Sequence, residues 1–313
     1  MKQLTLPTFG FEFHETANTI AADTEAAVFI PEIWAQRVLG RLHARCPMVG
    51  AVLHDYKDEI AKEGDTVNVQ KRGNLTTNDK TPNTTVTLQN PTATTIPVAL
   101  DNHKEVSFLV EDVAEAQANV DIIDGYTRDG ADAIVEDIEA LLTAHYADAP
   151  AANVITWDSE DVLGTIMSAR TKIVVDNKCP DAVKRYLIIK DMADLVGTTA
   201  FTSKEFLDQS FVETGTVGMI AGFNTKESGK IVTTTSPTAV HRIALAKEAI
   251  ALVTRKLPDP PAGVGVKGGT VEQDGIGVRV LIGYSMDYLG LQATIDMLFG
   301  SGVLRAEWIC DIK

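Results

Sequence analysis

The fold of this chain is decided by residues 64–117, which read GDTVNVQKRGNLTTNDKTPNTTVTLQNPTATTIPVALDNHKEVSFLVEDVAEAQ. A strand-like piece, Thr66–Gln70, leads into a segment rich in Thr, Asn and Lys with almost nothing apolar to bury. A second extended stretch follows at Thr84–Val98, and Glu105–Val110 reads as a further strand. An isolated two-stranded hairpin is at best marginally stable in water. The pattern therefore predicts an arm that lies on another surface, and the hypothesis is that a neighbouring copy of the same chain provides it.

Composition and net charge limit the classes of protein to which this chain can belong. The chain has 313 residues, 45% of them hydrophobic and 23% charged, which is an ordinary globular mixture large enough for two subdomains. The formal net charge of −15 argues against tight wrapping of DNA, because phosphate binding requires clustered Lys and Arg. It is compatible with a protein that only encloses nucleic acid.

The cysteines and the N-terminus indicate where the protein is made. Cys46, Cys179 and Cys310 are far apart and show no CxxC spacing, which is typical of unreactive thiols in a reducing compartment. The N-terminus has no continuous apolar core of a signal peptide. No apolar run approaches the roughly 20 residues that a membrane helix needs. We therefore expect a soluble protein made inside the cell.

Two helices are predicted in the first half. Residues 1–28 lack sustained periodicity and are interpreted as an extended arm, and a helix is expected from Phe29 until Pro47 ends it. A longer helix follows the polar arm and carries one apolar stripe at helical spacing. The stripe consists of Ile134, Ile138, Leu141, Leu142 and His145. His145 is expected to be a satisfied core residue.

Acidic residues lie mostly off that stripe. They are Asp129, Asp132, Glu136, Asp137 and Glu139. Two interpretations stay open, a solvated helix face and a face that pairs with basic residues of an adjoining subunit. Gly125 and Gly130 each cost about 1 kcal/mol relative to Ala inside a helix, which indicates a bend or close packing there.

The second half interleaves helices and strands without a regular βαβ repeat, which favours an α+β fold. Ser159 can cap a helix through Val162, Ile166, Ala169 and Ile173, and Lys184–Lys190 reads as a buried strand. A second amphipathic helix is predicted over about Arg242–Lys256, followed by a loop at Pro258–Gly269. The remainder reads as strands separated by turns.

The sequence contains no motif that predicts a catalytic, cofactor-binding or metal site. Gly263, Gly265 and Gly268 spell GxGxxG, but PDPP precedes them and no helix signal follows, so a loop is expected instead of a dinucleotide fingerprint. Gly222–Lys230 partly resembles a phosphate-binding loop, but the spacing between its glycines is too long for one. None of the six histidines pairs with His or Cys at metal-ligand spacing, and no GxSxG or SxxK frames a nucleophile. No catalytic residue, cofactor or metal is predicted.

The order of several loose patterns resembles the major capsid proteins of tailed bacteriophages, which share the HK97-like fold. The resemblance covers most of the chain from about Phe29. Its carriers are FIPEIWAQRVL, GDTVNV, VALDNHKEVSFLVEDVAEAQANVDIIDGYTRDGADAIVEDIEALL, RYLIIKDMADLV, GMIAGFNTKESG and IDMLFGSGVLRAEWI.

The resemblance implies a division of the chain into an arm, an extended β-hairpin loop, a peripheral domain with a long spine helix, and an axial domain. The expected boundaries are 1–28 for the arm, 29–51 for the peripheral entry helix, 52–104 for the extended loop, 105–149 for the spine helix, 150–265 for the axial domain and 266–313 for C-terminal strands shared between the two domains. It also implies self-assembly through pentamers and hexamers, a scaffolding protein and a portal, enclosed DNA, and a virion assembled in the host cytoplasm.

Six charged residues are the candidates for inter-subunit contacts. They are Lys71, Arg72, Asp79 and Lys80 on the extended loop and Asp132 and Glu136 on the helix. One branch of the family joins a loop lysine to an asparagine of a neighbour. This sequence has no asparagine after Asn224, so no such covalent link is predicted.

Three other classes remain as alternatives. An encapsulin-type compartment shell has a similar fold and would enclose protein cargo in place of DNA. An α/β enzyme with dispersed Asp, Glu and His would be a monomer or small oligomer with a deep polar pocket. A tail component would form rings or tubes.

Overall fold

Two β-sheets and one long helix organise the residues that the structure, a computed structural model, describes. The described residues are 46–54, 66–72, 75–90, 93–111, 122–196, 218–261, 265–273 and 276–313. The predicted arm at 1–28 and almost all of the predicted helix at Phe29–Pro47 lie outside them.

The regular elements are as follows. The helices are α1 (Ile122–Thr143), α2 (Val162–Arg170) and α3 (Ala193–Val196), with a π-helical turn at Thr171–Asp176 and 3₁₀ turns at Val49–Ala51, Ala144–Asp148, Ala151–Asn153 and Ala306–Trp308. The strands are β1 (Thr66–Arg72), β2 (Ala93–Ala99), β3 (Asn102–Glu111), β4 (Val154–Ile155), β5 (Arg185–Ile189), β6 (Met219–Ile220), β7 (Phe223–Glu227), β8 (Thr233–Thr235), β9 (Thr238–Val240), β10 (Arg242–Ala246), β11 (Ile250–Arg255), β12 (Val266–Gln273), β13 (Ile276–Ser285), β14 (Gly290–Val303) and β15 (Ile309–Ile312).

The first sheet has five antiparallel strands built around β14. Its order is β11-β14-β13-β12, and β3 pairs with β14 over the ten residue pairs from Gly290↔Glu111 to Phe299↔Asn102. The predicted strand Glu105–Val110 is thus confirmed as the centre of β3. This long ladder also brings the base of the polar arm next to the sheet, because β2 ends three residues before β3 begins.

The second sheet has six strands in the order β4-β15-β10-β5-β7-β6. All five residues of β5 are buried, which explains why Lys184–Lys190 reads as a continuous apolar run. Strand β15 enters this sheet beside β10 after β14 has left the first one. A single apolar core cluster includes Leu245 of β10 and Leu252 of β11, so the two sheets share one core.

Helix α1 covers the first sheet with the predicted apolar stripe. Ile134, Ile138 and Leu142 are buried. A Cβ at Gly130 would lie 3.2 Å from side-chain atoms of Val106 and Ile295, so this glycine permits close packing of the helix on the sheet. His145 lies in the 3₁₀ turn after the helix and is half-buried, so the prediction of a core residue is wrong, although its ring nitrogens are partnered by Asp148 and Ser301.

Glu139 does not have the exposed position expected for the acidic residues of this helix. Glu139 is 3% exposed and its carboxylate accepts hydrogen bonds from Cys46 and Met48. It directly follows a stripe residue, and a 3.6-residue period does not separate the edge of a buried stripe from its flank.

The predicted helix at Arg242–Lys256 is wrong. The segment forms β10 and β11, which turn at Lys247–Ala249. All of β10 and nearly all of β11 are buried on both faces, so neither strand shows the alternation of polar and apolar residues that would identify it. Alanine and leucine in the run then favour a helical interpretation.

Two smaller expectations also need correction. Helix α2 is capped by Asp161, which accepts a hydrogen bond from the backbone N–H of Gly164 at 2.8 Å, and not by Ser159. The predicted loop at Pro258–Gly269 ends early because β12 begins at Val266. Gly268 lies inside that strand, where a Cβ would come within 2.6 Å of Pro260 Cδ, so close packing accounts for the glycine.

Candidate inter-subunit surfaces

The polar arm, or simply the arm, is the hairpin over residues 66–99 and is distinct from the N-terminal residues 1–28. Its base is a ribbon of β1 and β2, paired from Thr66↔Ala99 to Arg72↔Ala93. Val67 and Val69 are buried and the residues between and before them are exposed, as expected for a strand with one face on a core. The base is held by a small apolar cluster of its own. That cluster is Val67, Val69, Val98, Leu100, Ala251, Val253 and Leu304.

Two glycines of β14 let the ribbon lie flat on the first sheet. A Cβ at Gly300 would be 1.8 Å from the backbone oxygen of Ala99, and a Cβ at Gly302 would be 2.8 Å from Val98 Cγ2. The backbone of β2 therefore approaches β14 more closely than any other residue type would allow. This fixes where the arm leaves the body of the molecule.

The tip of the arm, residues 75–90, has no strand or helix, and all of its residues except Gln89 are exposed. Gln89 accepts a hydrogen bond from Thr76 N at 2.9 Å and donates one to Thr76 O, which ties the two limbs together. Leu75, Val86 and Leu88 are 66%, 66% and 89% exposed. Three large apolar side chains on one thin projection form a surface that needs cover.

The four candidate residues on the arm have different positions. Lys71 Nζ donates to Glu307 Oε1 at 2.9 Å, within the same chain. Lys80 Nζ donates to Thr81 O at 2.8 Å and to Thr84 O, so it closes the turn at the tip. Asp79 is exposed beside it, and Arg72 is the last residue of β1.

The Lys71–Glu307 pair joins the arm to the 3₁₀ turn before β15. Burial opposes ionisation of Glu307, yet backbone hydrogen bonding and Lys71 together hold the pKa of its carboxyl below the ordinary value. Both side chains are about one-third exposed, so solvent weakens the attraction. The pair fixes the position of the arm base more than it adds to stability.

The two candidates on α1 differ in their exposure. Glu136 is exposed and pairs with Lys230 at 2.7 Å, and Asp132 is half-buried. The pairs described for Lys71 and Glu136, with Glu307 and Lys230 respectively, each lie within one chain.

The sequence reasoning missed a second exposed apolar surface, the turn at 286–289 between β13 and β14. Met286, Tyr288 and Leu289 are 83%, 67% and 65% exposed. Leu289 also has φ +46°, the left-handed region that favours Gly or Asn. Apolar residues in a tight turn between two strands are the signal in the sequence that could have found it.

Other features of the described residues do not suggest chemistry. In the part of the chain that the structure describes, no group of three or more His, Cys, Asp or Glu could hold a metal ion, and no helix is long and apolar enough to cross a membrane. A cavity of about 490 Å³ is lined by Arg255, Lys256, Leu257, Pro258, Asp259 and Leu298. It presents no serine, cysteine or histidine as a nucleophile or base.

Comparison with known proteins gives a likeness of fold. No protein-family model and no curated protein sequence matches the chain. Several solved structures, in contrast, match the chain. A chain of Mycobacterium phage Che8 matches with a TM-score of 0.62 and 19% identity, over 86% of this chain and 91% of that one.

Two further solved structures resemble the chain. The capsid structure of the cyanophage P-SCSP1u matches with a TM-score of 0.59 and 19% identity, over 80% of this chain and 83% of that one. The mature capsid of bacteriophage PhiM1 matches with a TM-score of 0.55 and 12% identity, over 81% and 83%. The prediction of an α+β, HK97-like capsid fold is confirmed at the level of the fold.

Proposed function

We propose that this chain is a major capsid protein, which assembles through pentamers and hexamers into the icosahedral head shell of a tailed phage. The observation that carries the proposal is the likeness of fold to phage capsid structures over most of both chains. Fold alone does not fix function. The second support is therefore the arm, which exposes apolar side chains that a monomer would have no reason to display.

Contact between copies follows from the shape of the arm. Its base is fixed to the first sheet by its own apolar cluster, while its tip has exposed Leu75, Val86 and Leu88, which belong to neither core cluster of the described residues. Cover from a neighbouring copy would give these side chains a contact worth about 1.5–3 kcal/mol each when fully buried. Lys71, Arg72, Asp79 and Lys80 would then set the register, with Asp132 and Glu136 as acidic partners on α1.

The turn at 286–289 is a second surface for contact with a copy. Exposed aromatic and methionine side chains are typical of the centre of protein–protein interfaces. A closed shell requires each subunit to meet neighbours on several sides. Two separate apolar projections on one subunit, the arm tip and this turn, fit that requirement.

The remaining parts of the proposal concern partners and place. A scaffolding protein and a portal would take part in assembly, and the shell would enclose DNA without binding it by sequence. The net charge of −15 supports enclosure, because an inner wall with few clustered cations lets DNA move in and out. The protein would be assembled in the host cytoplasm, would reside in the virion, and would have no enzymatic role.

Electron microscopy of negatively stained protein, together with size-exclusion chromatography, tests this function. Closed polyhedral shells, or rings of five or six that become shells with a scaffold, would support it. Shells that hold protein cargo and no DNA would indicate an encapsulin-type compartment, and tubes would indicate a tail component. A compact monomer at every concentration would contradict the proposal.

A further inference from the structure

Two arginines from different elements meet at one turn of the second sheet. The turn joins β6 to β7, and its residues Ala221 and Gly222 have φ +49° and +83°, in the left-handed region. A Cβ at Gly222 would be 3.9 Å from Cζ of Arg170 and 4.0 Å from Nη2 of Arg185. The two guanidinium groups are therefore close neighbours, although Arg170 is the last residue of α2 and Arg185 is the first residue of β5.

Arg185 is the more deeply buried of the two. Its side chain is 9% exposed, and its Nε is buried and has no hydrogen-bond partner among the described residues. Nη1 and Nη2 both donate to one oxygen, Asp181 Oδ1, at 3.3 Å. The Asp181 side chain is 85% exposed, so this contact is long, screened by solvent and made to a single carboxylate oxygen. The buried charge of Arg185 thus has a weak partner within its own chain.

Arg170 is half-buried and lies beside this incompletely paired charge. Its side chain makes no hydrogen bond or ion pair with the other residues that the structure describes. Two like charges at this separation repel each other. An oxyanion bound by both would remove the repulsion and would accept hydrogen bonds from two planar donor groups, an arrangement that carboxylates and phosphates favour.

We propose that Arg170 and Arg185 form an oxyanion site that takes a carboxylate from a second copy of the chain. The proposal rests on the proposed function, because it names a contact between assembling subunits. Charge favours this occupant, since the chain has 43 Asp and Glu against 28 Lys and Arg and its copies therefore carry carboxylates in excess. The same net charge of −15 opposes the approach of nucleic acid.

The surroundings of the site support a protein partner. Met219, at the start of β6 and close to the turn, is 65% exposed. Methionine and arginine are both enriched at protein–protein interfaces, so one contact would cover the apolar side chain and neutralise the two cations. Gly222 leaves the space beside both guanidinium groups free of a side chain, and its positive φ makes any other residue type unfavourable there.

Thermal unfolding of the unassembled full-length chain tests the site, with inorganic phosphate as the probe at constant ionic strength. General stabilisation by phosphate affects every variant alike. Phosphate in about tenfold excess over its Kd should in addition raise the Tm of wild type by about 2 °C in a chain of this size, and Arg170→Gln should lack this additional rise. An equal rise in wild type and Arg170→Gln would overturn the site.

Two further variants keep this test decisive. Asp181→Asn removes the exposed carboxylate that competes for Arg185, so the Kd for phosphate should fall about threefold. Lys172→Gln removes one positive charge from the π-helical turn after α2, and it should respond to phosphate as wild type does. A loss of response in Lys172→Gln equal to that in Arg170→Gln would show that net charge alone is measured, and would also overturn the site.

Light scattering during assembly tests the occupant. Arg170→Gln should need about tenfold more protein to assemble, whereas Lys172→Gln should assemble as wild type does. Phosphate binding together with unchanged assembly of Arg170→Gln would identify a free oxyanion as the ligand and would overturn the carboxylate of a second copy. Failure of wild type to assemble would contradict the proposed function, and the phosphate measurement would still decide whether the site exists.

Discussion

At the scale of single residues, Gly300 is the position where one added methyl group should do the most damage. A Cβ there would be 1.8 Å from the backbone oxygen of Ala99, and a backbone atom cannot move aside as a flexible side chain can. Overpacking of this kind costs about 1–3 kcal/mol, and we expect Gly300→Ala to reach the upper end, about 3 kcal/mol. Urea unfolding of the purified subunit measures the loss.

The matched control is Gly125→Ala in α1. A Cβ at Gly125 meets nothing within 4 Å, so the substitution should stabilise the subunit by about 0.5–1 kcal/mol through helix propensity. Opposite signs for the same chemical change would show that close approach of the arm is what requires glycine at 300. Equal, small effects would mean that β2 can shift away from β14 at little cost.

Leu289 gives a second residue-scale prediction, in which subunit stability and assembly change in opposite directions. Asparagine tolerates the left-handed backbone better than leucine does, so Leu289→Asn should stabilise the isolated subunit by about 1 kcal/mol. Loss of an apolar contact should raise the concentration needed for assembly about tenfold, the effect of about 1.4 kcal/mol. Thermal unfolding and light scattering measure the two effects. Unchanged assembly would remove the turn from the proposed interface.

At the scale of elements, the sequence was informative where a pattern had only one structural solution. The stripe from Ile134 to Leu142 has a helical period and forms α1. The polar stretch after Gln70 has almost nothing apolar to bury and forms the exposed tip of the arm. The prediction of a helix at Arg242–Lys256 failed because strands buried on both faces lose the alternation of polar and apolar residues. That helix could be rejected only with knowledge of the strands on either side.

The arm gives the prediction at this scale. Leu88 is 89% exposed, so Leu88→Ser should change the stability of the subunit by no more than about 0.5 kcal/mol. Assembly should nevertheless require about tenfold more protein, since the contact proposed for this side chain would be lost. Thr87→Ser, at the adjacent exposed position, is the control and should assemble as wild type does. If both variants assembled alike, the apolar tip would have no part in contact between copies.

At the scale of the whole molecule, the order of loose patterns predicted the fold better than it predicted the candidate surfaces. The polar arm was found because composition marks it directly. The turn at 286–289 and the buried place of Glu139 were not found, because exposure and burial depend on which elements cover them. Lys71 shows the same limit, since its partner Glu307 is 236 residues away in the sequence.

The absence of a covalent link between subunits is the prediction for the assembled particle. An isopeptide bond needs a lysine amine and an asparagine amide brought together, and no asparagine follows Asn224 in the C-terminal segment that would supply it. Lys71 and Lys80 are both engaged within their own chain. Mature particles boiled in SDS with reductant should therefore give a single band at 33.7 kDa. A ladder of linked subunits would show a cross-link by other residues, and mass spectrometry of the ladder would identify them.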